Sequence, residues 1–155
     1  MSNPCPLQLL GFPLSHINAS DMKSTSHDIV MANFGDAVQH FYNTLDDQVV
    51  QDTGCSVHGN HCMSQSGRDN PGLLHPMLGV IGTPCQPFSR QRTKRSAEGS
   101  VAGHSKFPTT FKDLLAWLET YEPQCGTCEQ VEGFTQAESP SVPESPMDRP
   151  GLSAM

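Results

Sequence analysis

The chain has 155 residues, room for one modest domain, with 35% hydrophobic residues, a mean hydropathy of −0.40 and 13 each of Pro and Gly. No apolar run reaches the roughly 18 residues a transmembrane helix needs, and the Pro and Gly content predicts much irregular backbone. The net charge of −7 argues against a generally basic nucleic-acid binder; six cysteines, behind an N-terminus without a secretory layout, fit a reducing, intracellular compartment better than a disulfide scaffold.

In chain order, residues 1–14 predict an irregular segment that contains an apolar stretch from Leu7 to Leu14. Ile17-Asn18-Ala19-Ser20 predicts a short strand ending in Asp21. Residues 24–34 predict a helix, with Ser26 as N-cap before Ile29, Val30 and Phe34. Ala37, Val38, Phe41, Tyr42 and Leu45 recur at helical spacing and predict a second, amphipathic helix, with Asp46 and Asp47 near its end. Residues 51–76, rich in Gly, Ser, Asn and His, predict a loop. Leu78-Gly79-Val80-Ile81-Gly82 predicts a buried strand that Gly82 lets the backbone leave sharply. Residues 89–108 are basic and Gly/Ser-rich, which predicts a mobile segment. Thr109 or Thr110 caps a third helix, marked by Phe111, Leu114, Leu115 and Leu118 and stopped by Glu122-Pro123. Residues 124–131 predict a further buried strand. From Gln136 onward Pro140, Pro143, Pro146 and Pro150 stand among Ser and Glu, so residues 136–155 predict a disordered tail. This alternation is that of an open, mainly parallel α/β sheet, in which ligands collect at the carboxyl ends of strands. Asp21, Cys85 and Glu129 all fall at such ends.

The stretch after the strand at 78–82 carries the strongest signal. Pro84-Cys85-Gln86-Pro87-Phe88-Ser89 holds a cysteine between two prolines that fix φ on either side of it. It resembles the catalytic loop of the cytosine-C5 DNA methyltransferases. Further on, Glu129-Gln130-Val131 resembles the family's Glu-Asn-Val signature, in the family's order and one helix away. The resemblance covers about residues 15–135. It implies a partial Rossmann-like, S-adenosylmethionine-dependent catalytic domain, incomplete at both ends, acting on cytosine in DNA, with RNA as the alternative substrate and a nuclear location in a eukaryote. Cytosine C5 is too poor a nucleophile to take a methyl group unaided. By resemblance Cys85 attacks C6 as a thiolate, and Glu129 holds a proton at N3 against the charge this creates. The base must leave the helix stack first.

The same resemblance implies that Asp21 binds the ribose hydroxyls of S-adenosylmethionine and that Pro84 lines the cofactor. Gln86 and Ser89 in the loop, and Arg90, Arg92, Lys94 and Arg95 directly after it, would face nucleic acid; the cations, four of the chain's nine Lys and Arg, would meet phosphates. By the same resemblance Asp52 would stand for the family's acid that contacts the adenine.

Two departures from the family stand out. Gln130 is one methylene longer than the family's Asn, which predicts altered hydrogen bonds to the cysteine loop. No Phe-x-Gly-x-Gly loop is recognisable, and too few residues follow Glu129 for a target-recognition region, so the chain reads as a piece of such an enzyme. The alternative is a degenerate, inactive relative that binds nucleic acid or protein. A third reading is a small zinc module, drawn from Cys55, His58, His61 and Cys62 with Cys125-x-x-Cys128 as a second half-site. Because Cys125 and Cys128 lie in a run that reads as a buried strand, the expectation is no metal.

Overall fold

The computed structural model describes residue 11 and residues 16–50, 53–62, 78–93, 97 and 101–148, with the side chains of Asn60 and His61 outside that set. The apolar stretch from Leu7 to Leu14, Asp52, Lys94 and Arg95 therefore lie outside the described residues, apart from Gly11. The chain is mixed α/β with small parallel sheets and few helices, divided into two compact units, Met1–Ser66 and Gly67–Met155. None of the described helices is long and apolar enough to cross a membrane.

In the first unit, β1 (Ile17–Ser20) pairs in parallel with β2 (Val38–Tyr42), placing Asn18 opposite His40 and Ser20 opposite Tyr42. A parallel pair requires a crossover, here α1 (Ser24–Phe34) and a short 3-10 turn at Gly35–Ala37. Lys23, not Ser26, occupies the N-cap of α1, and no side chain caps it. α1 buries none of its residues, and Ile29 is 63% exposed.

The second helix expected over 37–45 is a strand followed by a shorter helix, α2 (Leu45–Val49). Two things decide this. Val38, Phe41 and Tyr42 are β-branched or aromatic and are all buried in the strand. Thr44 then restarts the chain as a helix. Its hydroxyl accepts from Asp47 N–H at 3.1 Å, and Asp47 Oδ2 accepts from Thr44 N–H at 2.9 Å, a reciprocal capping box. Asp46 and Asp47 thus begin a helix. Buried Gln48 on α2 donates to Ser20 Oγ at 2.8 Å, tying α2 to the end of β1.

The expected loop at 51–76 contains an antiparallel hairpin, β3 (Thr53–Cys55) and β4 (Gly59–Cys62). Its turn closes at Gly59, whose φ of +88° lies in the left-handed region that favours glycine. Ser56 N–H donates to Phe41 O at 2.8 Å, which fastens the hairpin to β2.

In the second unit, β5 (Leu78–Gly82) pairs in parallel with β6 (Cys125–Glu129), from Leu78 opposite Cys125 to Gly82 opposite Glu129. The crossover runs through the cysteine loop, a π-helical turn at Pro108–Lys112 and α3 (Asp113–Tyr121). Glu122 ends α3 with a φ of +42°, the left-handed C-cap that a following Pro123 accompanies. Trp117 of α3 covers Gly79: a Cβ built there would stand 3.1 Å from the indole, so glycine lets helix and strand approach. Thr110 does not cap a helix. It is fully buried, and its hydroxyl lies 2.7 Å from Pro84 O and 2.9 Å from Lys106 O.

Neither strand is buried as expected. Val80 is 70% exposed and every residue of β6 is exposed; among the described residues the sheet has two strands and one covering helix, where a wider doubly wound sheet would be covered on both faces. The core lies instead around Phe88, Val101, Phe107, Phe111 and Phe134, with Leu115 and Val131 packed on it. Phe88 and Phe134 meet edge to face at 4.8 Å, and Phe107 stacks on Phe111 at 5.4 Å. Val101 and Phe107 are buried, so this part of the basic stretch is packed rather than mobile. Nor is residue range 136–148 disordered. A 3-10 turn at Glu132–Thr135 leads into a bridge between Ser139 and Val142 and a second turn at Pro146–Asp148, with Glu138, Ser145 and Pro146 buried. The prolines there fix turns instead of preventing structure.

Candidate active site

β5 and β6 end side by side, and this sets the site. Parallel pairing places Glu129 opposite Gly82, so the last residue of β6 lies beside the point where β5 releases Thr83-Pro84-Cys85. A Cβ built on Gly82 would be 3.8 Å from Glu129 Oε2, so the carboxylate lies over the strand end that feeds the cysteine loop. Glu129 is exposed and Cys85 half-buried.

Five hydrogen bonds hold the loop. Gln130 Nε2 donates to Thr83 O at 3.0 Å and to Thr83 Oγ1 at 2.7 Å. Thr110 Oγ1 meets Pro84 O at 2.7 Å. Phe88 N–H and Ser89 N–H both donate to Cys85 O at 3.0 Å, closing a helical turn directly after the thiol. Phe88 itself is completely buried in the aromatic core, and Pro87 is buried beside it. The loop is therefore pinned at Thr83, Pro84 and Phe88, and Cys85 sits between the pins.

The altered hydrogen bonding expected of Gln130 takes a specific form. Its amide nitrogen donates to both oxygens of Thr83, and its Oε1 is 3.4 Å from Val131 N. The longer side chain reaches the loop and holds it.

The residues expected to face nucleic acid divide. Gln86 is exposed and Ser89 half-buried, both at the loop. Arg90 Nη1 pairs with Glu132 Oε2 at 3.2 Å, both side chains being largely exposed. Arg92 Nη2 donates to Pro87 O at 3.1 Å and so braces the loop. Asp21 lies at the carboxyl end of β1 in the first unit, where its Oδ1 accepts from Lys23 N–H at 2.8 Å.

A second cluster stands in the first unit. His40 on β2 and Cys55, His58 and Cys62 on the hairpin offer four ligand atoms that all lie within 4.8 Å of one another. His40 Nδ1 is 3.0 Å from Cys62 Sγ and 3.9 Å from Cys55 Sγ; His58 Nδ1 is 3.4 Å from Cys55 Sγ and 3.6 Å from Cys62 Sγ. Burial raises the Cys55 thiol, but hydrogen bonds from His58 and Cys62 outweigh it and bring it down overall. Burial and the neighbouring Cys55 push Cys62 up. Burial and the neighbouring His58 push His40 down, towards neutral imidazole. Cys55, His58 and Cys62 are the residues the sequence groups. His40 is the one it misses, since β2 read as a helix and nothing in the spacing links position 40 to the hairpin. Cys125 and Cys128 belong to β6 of the second unit, are exposed, and are not part of this group.

Among known proteins, no family model, curated protein or solved structure matches the chain.

Proposed function

We propose that the second unit carries the covalent half of a DNA cytosine-C5 methyltransferase site, with Cys85 as nucleophile and Glu129 as its partner. The observation that supports this most is the parallel register ending in Gly82 opposite Glu129. It brings a carboxylate to the base of a loop whose cysteine is held between anchored residues, as covalent attack on a flipped base requires. Cys85 Sγ adds to cytosine C6, which makes C5 a nucleophile; Glu129 binds N3 and the exocyclic amine and keeps a proton at N3 while the adduct stands. Once C5 is methylated, its proton would pass to water, and the C5–H electrons would re-form the C5–C6 double bond and expel Cys85 as the thiolate.

S-adenosylmethionine supplies the methyl group when bound. Asp21, an exposed carboxylate at the end of a parallel strand, is the kind of acceptor a ribose diol uses. Gln86 and Ser89 would meet the DNA beside the flipped base. Arg90 would exchange Glu132 for a phosphate at little cost, since an exposed ion pair holds it weakly; Arg92, Lys94 and Arg95 would extend the contact.

The test is trapping. The chain is incubated with S-adenosylmethionine and DNA containing 5-fluorocytosine, whose C5 fluorine cannot leave as a proton does, so the S–C6 bond persists. A denaturant-stable protein–DNA adduct that Cys85→Ser abolishes is expected. A folded native chain that forms no adduct with DNA, or forms one that survives Cys85→Ser, defeats the proposal; an adduct only with the corresponding RNA moves the substrate from DNA to RNA.

A further inference from the structure

The group formed by His40, Cys55, His58 and Cys62 has a shape that hydrogen bonding among neutral side chains does not require. We propose that these four residues form a tetrahedral zinc site that clamps the β3–β4 hairpin to β2.

The distances carry the assignment. Zinc bonds of about 2.3 Å to sulfur and about 2.0–2.1 Å to nitrogen place tetrahedral N and S ligands about 3.5 Å apart. The four N···S separations here are 3.0, 3.4, 3.6 and 3.9 Å, bracketing that value from both sides. Both imidazoles present Nδ1 to both sulfurs, so each ligand atom faces the common centre. Two thiolates and two imidazoles suit zinc above hard cations, which take oxygen. Four protein ligands fill the tetrahedron and leave no open position for substrate, so the site is structural rather than catalytic.

Local geometry supports the same reading. Cys55 and His58 are separated by two residues across a tight turn, and His58 N–H donates to Cys55 Sγ at 3.3 Å, a bond that favours the thiolate form. Gly59, at φ +88°, turns the chain directly after the second ligand and sends β4 back to deliver Cys62. Tyr42 hydroxyl lies 3.9 Å from Cys62 Sγ, where it can orient that ligand from outside.

Packing gives an independent reason. Among the described residues of this unit Tyr42, Cys55 and Cys62 form one buried cluster, and only Val38 and Phe41 are buried apolar residues besides. Two of the cluster's three members are thiols, and α1 buries nothing. A unit with so small a core gains stability from a metal staple, and binding energy of that kind is folding energy.

The full chain, produced without a histidine tag, would be analysed for metal by mass spectrometry and then loaded with Co(II) as an optical probe. One zinc per chain is expected. Co(II) should give the thiolate-to-metal charge-transfer bands and intense d–d bands of a tetrahedral two-sulfur site, and zinc should displace it. Cys55→Ser, Cys62→Ser and His40→Ala should each weaken zinc binding by at least about 100-fold, the upper range reached by losing an outer partner alone. His61→Ala and the double change Cys125→Ser with Cys128→Ser should retain one zinc. Failure of the native chain to bind zinc or Co(II), an octahedral Co(II) spectrum, unaltered binding in His40→Ala, or a chain two hydrogens lighter through a Cys55–Cys62 disulfide would each overturn the proposal. Because the readouts are on the native chain and do not use DNA, they stand or fall apart from the trapping result at Cys85.

Discussion

Replacing Gln130 tests the loop architecture directly. Its amide nitrogen donates to the carbonyl and to the hydroxyl of Thr83, and Thr83 is 8% exposed. Gln130→Leu keeps the side chain's bulk but leaves both acceptors without that donor. A neutral hydrogen bond contributes about 1 kcal/mol net, and a buried acceptor stripped of its partner costs about 1–3 kcal/mol. Gln130 is itself half-buried, so water can reach part of the gap; the expected loss is about 2–3 kcal/mol. Gln130→Asn falls one methylene short of Thr83 and should lose about half as much. The assay is urea unfolding followed by fluorescence of Trp117, the single tryptophan, which packs on Gly79 and so reports the second unit. An unchanged midpoint in Gln130→Leu, or a stabilised Gln130→Asn, would refute the idea that the longer amide is fitted to this loop.

Arg90→Ala should change stability by less than about 0.5 kcal/mol, because its ion pair with Glu132 is exposed. It should also weaken DNA binding evenly across sequences and lower the salt slope by about one charge, measured by fluorescence anisotropy at several salt concentrations; an unaltered slope would remove Arg90 from the interface. Tyr121 is buried against Trp117, and burial pushes its hydroxyl up to about 12. A folded value raised above the unfolded one, about 10, gives stability that is complete below pH of about 10 and lost as pH rises towards about 12, worth about 2–3 kcal/mol in total. Urea midpoints across that range should fall in the native chain and fall distinctly less in Tyr121→Phe; equal declines in the two would show that another group titrates.

What the sequence made legible was local. Gly82, the two prolines around Cys85 and the stop at Glu122-Pro123 announce themselves by backbone chemistry, and β5, α3 and β6 stand near their expected places. What failed were readings that depend on the whole sheet. A run such as Val80-Ile81 looks buried because strands flanked on both faces are apolar, yet burial is decided by how many strands and helices surround it, and among the described residues one helix and one partner strand do so. The region 37–45 failed for a different reason. Five apolar residues matched a helical period, but the capping box of Thr44 and Asp47 starts a new helix just before the last of them, Leu45, and a local cap outranks a pattern that spans it. Composition misled at 136–148, where Pro and Ser form turns packed by Pro146 and Ser145.

The same contrast explains why three zinc ligands were visible and the fourth was not. Cys55, His58 and Cys62 sit within one hairpin, so their spacing alone brings them together. His40 joins them only because β1 pairs in parallel with β2 and Ser56 N–H binds Phe41 O, which sets the hairpin beside residue 40. Completion of the group by a histidine from a neighbouring strand makes the metal a link between two pieces of secondary structure instead of a clasp within one. A clasp would stabilise only the hairpin. A link makes the hairpin and β2 melt together, so removing zinc should free both at once, and hydrogen exchange at Phe41, Tyr42 and Ser56 should rise in step with that at Cys55 and Cys62. Exchange that rises in the hairpin while β2 stays protected would place the fourth ligand within the hairpin and exclude His40.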